Sequence, residues 1–312
     1  MSNISIRHVQ AFIEVARSGS FTRAAEHLHL TQSALTATIK QLEQDAGLTL
    51  FDRTTRRVVL SAEGEHFMPV AERLVSDFNA ALDDLRARAE LQQGKVSMAG
   101  SPSVVTRLMP GALVEFRRQY PSIQVDIRDE SAGSLEQRVL NNEVDFAIAG
   151  NHSQQPELSY SPLLRDRYGL VLPADHPLAR MRLLSWQQLP DDDLLLLSED
   201  TGIRAQLRRF SQSGHIPVQL DQVQIEVSNP AGMAALISKG LGVSLLPALA
   251  ADTHSFAGVA FVPLHDPVVE REICVITRKG RALSPAAAAL LDTARQHLAK
   301  VDLPNWVETL HD

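Results

Sequence analysis

The chain contains a single cysteine, so neither an intrachain disulfide nor a cysteine-built metal cluster is open to it. That residue, Cys274, lies in the apolar run 273–276 and is expected in a buried strand. No stretch of 18 or more apolar residues occurs, which excludes a membrane-spanning helix. The first dozen residues lack a basic-then-apolar leader, so a cytoplasmic protein is expected. Catalytic signatures are missing as well. There is no GxSxG, Walker or dinucleotide fingerprint. Gly240 and Gly242 precede a strand, whereas a dinucleotide loop would follow one. The eleven histidines have no metal-ligand rhythm. Asp175 and His176 tempt as an acid–base pair, but a turn after a strand is the plainer reading. With no nucleophile and base, the expectation is a protein that is not an enzyme and needs neither metal nor cofactor.

Positive charge is not in excess either. The net charge is −7, and residues 1–65 carry seven Lys and Arg against seven Asp and Glu. A nucleic-acid contact would therefore have to come from local arrangement and not from bulk charge. What the chain does have is length, 312 residues with 44% hydrophobic and 21% charged, enough for more than one soluble domain.

The most informative stretch is 21–40. It reads as two short helices around a tight turn. Ser20 can accept a bond from an orphan amide of the first helix, 21–28. Ala24 and Ala25 are small enough to let a second helix approach closely. Thr31 is a good N-cap for that second helix, 32–46, and Gly47 is a natural stop. Leu35, Ile39, Leu42 and Ala46 form its inward stripe. Gln32, Ser33, Thr36, Ala37 and Lys40 fall elsewhere on its surface. Such short polar and small side chains suit a DNA major groove, where Gln reads adenine and methyl groups touch thymine. The bland alternative is a helical hairpin inside a larger core. The next segment, 51–60, argues against it. It reads as a two-stranded ribbon whose tip carries Arg53, Arg56 and Arg57, a wing able to touch phosphates or the minor groove.

A helix over 4–17 buttresses this pair through Ile6, Val9, Phe12, Ile13 and Ala16. After the wing, 62–91 reads as one long helix with Pro69 in its first turns. Phe67, Ala71, Leu74, Phe78, Ala81 and Leu85 alternate at steps of four and three, the period of a coiled-coil seam. A second copy of the chain is the natural partner; packing on its own domain is the alternative. From residue 95 strands alternate with helices. Strands are expected at 95–99, 123–128, 144–149, 158–164, 168–172, 194–197, 223–227, 243–246, 259–262 and 270–277. Helices are expected at 104–119, 134–142, from 201, at 230–239, 285–299 and 304–310. Residues 95–149 read as βαβαβ, which implies a parallel sheet covered on both faces, and the elements that follow repeat the α/β theme.

The chain resembles the LysR-type transcriptional regulators. The resemblance is carried by residues 7–12, 20–25, 31–35, 39–43, 50–53 and Gly64. It is dense over the first 65 residues and looser to the C-terminus. It implies a winged helix-turn-helix at 1–61, a linker helix at 62–92 that dimerises the chain, and an effector domain at 93–312. That domain would be two α/β lobes, similar to periplasmic binding proteins, with lobe I at 93–165 and 266–312 and lobe II at 166–265. It also implies operator DNA, a small effector, RNA polymerase and further copies of the chain, as dimer or tetramer, as partners. The DNA-contact candidates are then Thr22, Gln32, Ser33, Ala34, Thr36, Ala37 and Lys40, with Arg53, Arg56 and Arg57.

Open α/β sheets take ligands beyond the carboxyl ends of their strands. Small polar residues follow three such ends here. Ser101, Ser103, Thr201, Gly202 and Asn229 are the effector-contact candidates, with Arg204 as charge partner and Ser131 and Asn151 as weaker ones. Simple helix capping is the competing explanation for each. Helix N-termini favour anions, so an anionic or polar effector is expected. A rival function, a small-molecule sensor whose helical N-terminus meets a protein partner, draws support from the acidic net charge alone.

Overall fold

The computed structural model describes residues 4–52, 58–87, 94–151, 153–190, 194–220 and 225–310, with backbone alone at 83–87 and 132. The chain divides into two compact units, Met1–Arg86 and Ala87–Asp312.

In the first unit, α1 (Ile6–Ser18) ends at Gly19, whose φ of 62° closes the helix in the left-handed region. The Ser20 hydroxyl accepts from the Arg23 amide at the start of α2 (Phe21–His27). The turn after α2 is tight. The Leu30 amide donates to the Ala25 carbonyl at 2.8 Å, and His29 takes a positive φ of 55°. Thr31 Oγ1 then caps α3 (Gln32–Ala46) through the Ala34 amide at 3.2 Å, a contact worth about 1 kcal/mol. Leu35, Ile39 and Leu42 are buried against Phe12, Val15, Ala24 and Ala25. Burial of each large side chain here stabilises the unit by about 1.5–3 kcal/mol. β1 (Phe51–Asp52) and β2 (Val59–Leu60) pair antiparallel. Phe51 locks this ribbon to the core, its ring 5.4 Å from Phe12 and 6.0 Å from Phe21. α4 (Ala62–Ala87) follows, with Pro69 inside it. At 26 residues it is about 39 Å long.

The second unit begins with β3 (Gly94–Gly100), a π-helical turn at Val104–Leu108 and α5 (Met109–Gln119). β4 (Ile123–Asp129), α6 (Ala132–Leu140), β5 (Phe146–Gly150) and β6 (Leu158–Pro173) come next. Then follow β7 (Leu184–Ser185), β8 (Leu194–Leu197), α7 (Gly202–Gln212), β9 (Ile225–Val227), α8 (Pro230–Ser238), β10 (Val243–Pro247) and α9 (Ala248–Ala251). β11 (Val259–His265), β12 (Glu270–Arg278), α10 (Pro285–Leu298) and β13 (Val307–Thr309) complete it.

Two sheets share β6. Residues 158–167 of β6 pair with β12, and the order β4-β3-β5-β12-β6 defines the first sheet. From Tyr168 onward the same strand pairs with β10 and β11, and β8 and β9 extend the second sheet from β10. Alternation along the strands covers both faces of each sheet. Phe146, Ile148, Ile273 and Val275 pack toward α5 and α10, while Ala147, Ala149, Cys274 and Ile276 pack toward α6. In the second sheet Leu196 and Leu245 face the α7 side, and Leu195, Leu197 and Leu246 face Met233, Ala234 and Ile237 of α8.

Three expected elements come out differently. The strands expected at 158–164 and 168–172 are one 16-residue strand. The charged run Arg165-Asp166-Arg167 looks like a break, yet Asp166 is buried and paired with Arg271. The helix expected at 304–310 is instead β13, an edge strand on Leu164–Asp166 of β6 that follows Trp306 at a positive φ of 73°. The helix expected from 104 opens as a π-helical turn, and its α-helical part starts at Met109 with Pro110 in the first turn.

Candidate functional site

α3 turns its uncommitted side to solvent. Gln32, Ser33, Ala34, Ala37 and Lys40 are exposed and Thr36 is half-buried, while Leu35 and Ile39 are wholly buried. Thr22 Oγ1 of α2 donates to Gln32 Oε1 at 3.3 Å, which orients the amide. The Thr36 hydroxyl donates to the Gln32 carbonyl at 2.8 Å and is spent on its own helix. Arg53, Arg56 and Arg57 lie outside the described residues. The ribbon's base is tied to α3, because Glu43 Oε1 accepts from the Leu50 and Phe51 amides at 2.9 and 3.3 Å. Along α4, Phe67, Ala71 and Val75 pack on the unit's own core. Leu74 and Phe78 are 48% and 42% exposed, and Ala81 is exposed too. The expected seam thus splits, its first part used within the unit and its second part left to solvent. The Leu85 side chain lies outside the description.

In the second unit a cleft of about 100 Å³ opens at the carboxyl ends of β3, β4, β5, β8 and β9. Ser101, Ser103, Ser131, Asn151, Thr201 and Gly202 line it, together with Glu130, Gln206, Ser228 and Arg271. Ser101 Oγ and Asn151 Oδ1 are buried and have no hydrogen-bond partner among the described residues. Several of the other polar groups are engaged. Arg271 Nη2 donates to Ser103 Oγ at 3.1 Å, and Arg271 Nε donates to Asp166 Oδ2 at 2.9 Å. The Leu249 amide donates to Asp166 Oδ1 at 3.0 Å. Burial pushes the Asp166 carboxyl up, against the Arg271 guanidinium and the backbone amides that pull it down. Gln206 Oε1 accepts from the Tyr168 hydroxyl at 2.8 Å, and burial pushes that phenol up as well. Glu130 accepts from Arg138 Nε at 2.6 Å.

Two of the expected contacts are elsewhere. Arg204 does not line the cleft. It is 4% exposed, and its Nη2 donates to the Leu220 carbonyl at 2.8 Å. Position 204 falls on the face of α7 turned away from Ile203 and Gln206, which explains the reversal. Asn229 is exposed and caps α8 through the Gly232 amide at 2.8 Å, the capping role weighed against a ligand contact from the start. Arg271 is the cation that sequence reasoning missed. The signal was present in the Glu270-Arg271-Glu272 alternation, since period two puts the arginine opposite two exposed glutamates and level with Ile273. Glu136 was missed too. It is 4% exposed, accepts from the Tyr160 hydroxyl at 2.9 Å and is also bonded by Ser153, which anchors the segment after Asn151. Burial, together with that glutamate, pushes the Tyr160 phenol up to about 12.

Among the described residues no group of histidine, cysteine and carboxylates is placed to hold a metal ion, and no helix is long and apolar enough to cross a membrane.

A solvent-facing recognition helix in a winged fold, in one chain with a two-sheet α/β unit carrying a polar cleft, defines a ligand-responsive DNA-binding regulator. Comparisons with known proteins agree. Residues 6–65 match the bacterial regulatory helix-turn-helix protein, lysR family, and residues 89–299 match the LysR substrate binding domain. The chain is 34% identical to the HTH-type transcriptional regulator YbhD of Escherichia coli (strain K12) over 279 residues, 89% of this chain and 87% of that one. Its fold is similar to that of a full-length OxyR variant from Pseudomonas aeruginosa, with a TM-score of 0.73, 21% identity and full coverage of both chains. It is also similar to full-length CbnR solved with its target DNA, with a TM-score of 0.66, 22% identity, and 94% and 100% coverage. The chain belongs to the LysR family: it is a DNA-binding transcriptional regulator with an effector-binding domain. That family consists of transcriptional regulators and not of enzymes.

Proposed function

We propose that the second unit responds to a small, anionic or strongly polar metabolite held in the cleft between its two sheets. The observation that carries this reading is a pair of buried, unpartnered polar atoms on residues lining a cleft edged by Arg271: Ser101 Oγ, which can donate to an anion, and Asn151 Oδ1, which accepts from a hydroxyl or amine of the same ligand. Buried polar atoms are normally satisfied, so such atoms point to a ligand-binding surface. The cleft has room for on the order of seven to ten water-sized groups, which favours a compact carboxylate over a nucleotide. Arg271 replaces Arg204 as the charge partner. Ser103, Ser131, Thr201 and Gly202 supply the remaining rim. Ligand bound across both sheets would favour one lobe arrangement, and that differential affinity is what shifts the regulator.

On the DNA side, Gln32, Ser33, Ala34, Ala37 and Lys40 read base edges, Thr36 adds only its methyl group, Thr22 sets the Gln32 amide, and Arg53, Arg56 and Arg57 contact phosphate. The solved complex of CbnR with its target DNA supports operator binding by this class of fold. The exposed Leu74, Phe78 and Ala81 stripe supports pairing of two chains along α4. Two heads then meet adjacent half-sites, and a contact with RNA polymerase completes the regulatory output.

Calorimetry of the full chain against small mono- and dicarboxylates tests the effector reading. One carboxylate should bind with one site per chain, and Ser101→Ala together with Asn151→Ala should abolish it. If none of these carboxylates binds while neutral apolar compounds of the same size do, the anionic reading is wrong. A gel shift with the neighbouring promoter separates an operator-binding protein from a sensor that acts through a protein partner.

A further inference from the structure

α7 carries a second polar site on the face turned away from the cleft. Arg204 is the key residue. It is 4% exposed, and a guanidinium keeps its charge even when buried. One of its nitrogens, Nη2, is held by the Leu220 carbonyl at 2.8 Å. The other two, Nε and Nη1, are buried and have no hydrogen-bond acceptor among the described residues. The carboxylate of Glu226 stands 3.8 Å from Nη2, beyond hydrogen-bond reach, and is itself half-exposed.

Arg204 lines a pocket of about 190 Å³ together with Glu199, Ala205, Arg208, Arg209 and Gln212. Residues 204, 208 and 212 recur at helical spacing, and 205, 209 and 212 run beside them, so one broad face of α7 presents three guanidiniums and an amide. Against them stands Glu199, which accepts from Arg208 Nη1 at 2.7 Å. This is a local cationic excess in a chain whose net charge is −7. The pocket shares no lining residue with the cleft.

We infer that this pocket is a second ligand site, built for the phosphate group of a small phosphorylated metabolite. A single guanidinium saturates a monocarboxylate with one bidentate contact. Two or three converging on one point match a tetrahedral oxyanion, which offers more acceptor oxygens in several directions. Arg204 is the fixed, desolvated anchor. Arg208 and Arg209 are the mobile clamps, and Arg208 exchanges Glu199 for the ligand. The site stands independently of the effector cleft, so the failure of either leaves the other intact.

Inorganic phosphate is the probe. The full chain is titrated by calorimetry at constant ionic strength, with acetate as the competing anion class. Phosphate should bind with one site per chain, and acetate should not match it. Arg208→Ala and Arg209→Ala remove charge-assisted contacts from solvent-accessible positions, and each should weaken phosphate binding by about ten- to a hundredfold. Ser101→Ala, in the cleft, should leave the phosphate isotherm in place. The inference is overturned if phosphate binds no better than acetate, or if Arg208→Ala combined with Arg209→Ala leaves binding unchanged. It is equally overturned if Ser101→Ala removes the binding, because the phosphate then occupies the cleft.

Discussion

Replacing Asp166 by leucine should destabilise the second unit far more than replacing Asp166 and Arg271 together. Asp166 is fully buried and receives Arg271 Nε at 2.9 Å, Arg271 Nη2 at 2.8 Å and the Leu249 amide at 3.0 Å. Asp166→Leu strands a guanidinium that cannot shed its proton. Breaking a buried pair from one side costs about 3–5 kcal/mol. Arg271→Met strands a carboxyl instead. Burial already pushes that carboxyl up, so it can take a proton, and the loss should be smaller. That loss should also grow with pH. A group whose folded pKa is raised contributes stability that is fully present below its unfolded pKa and disappears as pH rises through the folded value. Asp166→Leu with Arg271→Met removes both charges and leaves the Leu249 amide and Ser103 hydroxyl to find new partners. The double variant should sit about 1–3 kcal/mol below the parent, well short of the sum of the single losses. Urea unfolding followed by tryptophan fluorescence is the assay. Both tryptophans, Trp186 and Trp306, lie in the second unit, so the signal reads that unit alone. With a slope of about 2 kcal/mol/M, Asp166→Leu should lower the midpoint by roughly 1.5–2.5 M. An Asp166→Leu midpoint indistinguishable from the parent, or a double variant as damaged as the two singles added, refutes the argument.

Four further outcomes are expected. Gln32→Ala should cost about 1–3 kcal/mol on the cognate operator and little on unrelated DNA, measured by fluorescence anisotropy. Arg53→Ala should weaken binding across sequences and reduce the salt-dependence slope by about one, which a binding series in potassium chloride reads directly. Phe78→Asp should turn dimers to monomers in sedimentation, and a variant that stays dimeric would place the subunit contact elsewhere. Burial pushes the Cys274 thiol up to about 12, from an ordinary value of 9.0, so a thiol reagent should label it only on unfolding. The same raised value means that its contribution to stability is intact below about pH 9 and fades as pH climbs toward 12.

Much of the first unit could be read from residues alone, because its signals are local. Ser20, Thr31 and Gly47 mark helix ends by chemistry that needs no distant partner, and α3 runs from Gln32 to Ala46 as expected. The sheets of the second unit were legible as alternating strands and helices. Their sharing of one strand was not, because β6 hides its continuity behind Arg165, Asp166 and Arg167. A charged run is silent about a partner 105 residues away, and Arg271 is that partner for Asp166. The cleft divides along the same line. Ser101, Ser103, Ser131, Asn151, Thr201 and Gly202 follow strand ends and come together by topology. Arg204 and Asn229 follow strand ends too, yet helical phase turns one away and capping engages the other.

The base of the wing has a mechanical consequence. A side-chain carbon on Gly64, in the first turn of α4, would lie 2.2 Å from the Leu50 carbonyl oxygen. Ser61 straps the same place, its hydroxyl donating to the Thr49 carbonyl at 2.6 Å and accepting from the Gly64 amide at 3.0 Å. With Glu43 gripping the other side of Leu50, α3, the ribbon and the first turn of α4 meet at one joint. A rotation of that first turn of α4 drags the Leu50 backbone with it, and α3 follows through Glu43, as a key turns its bit.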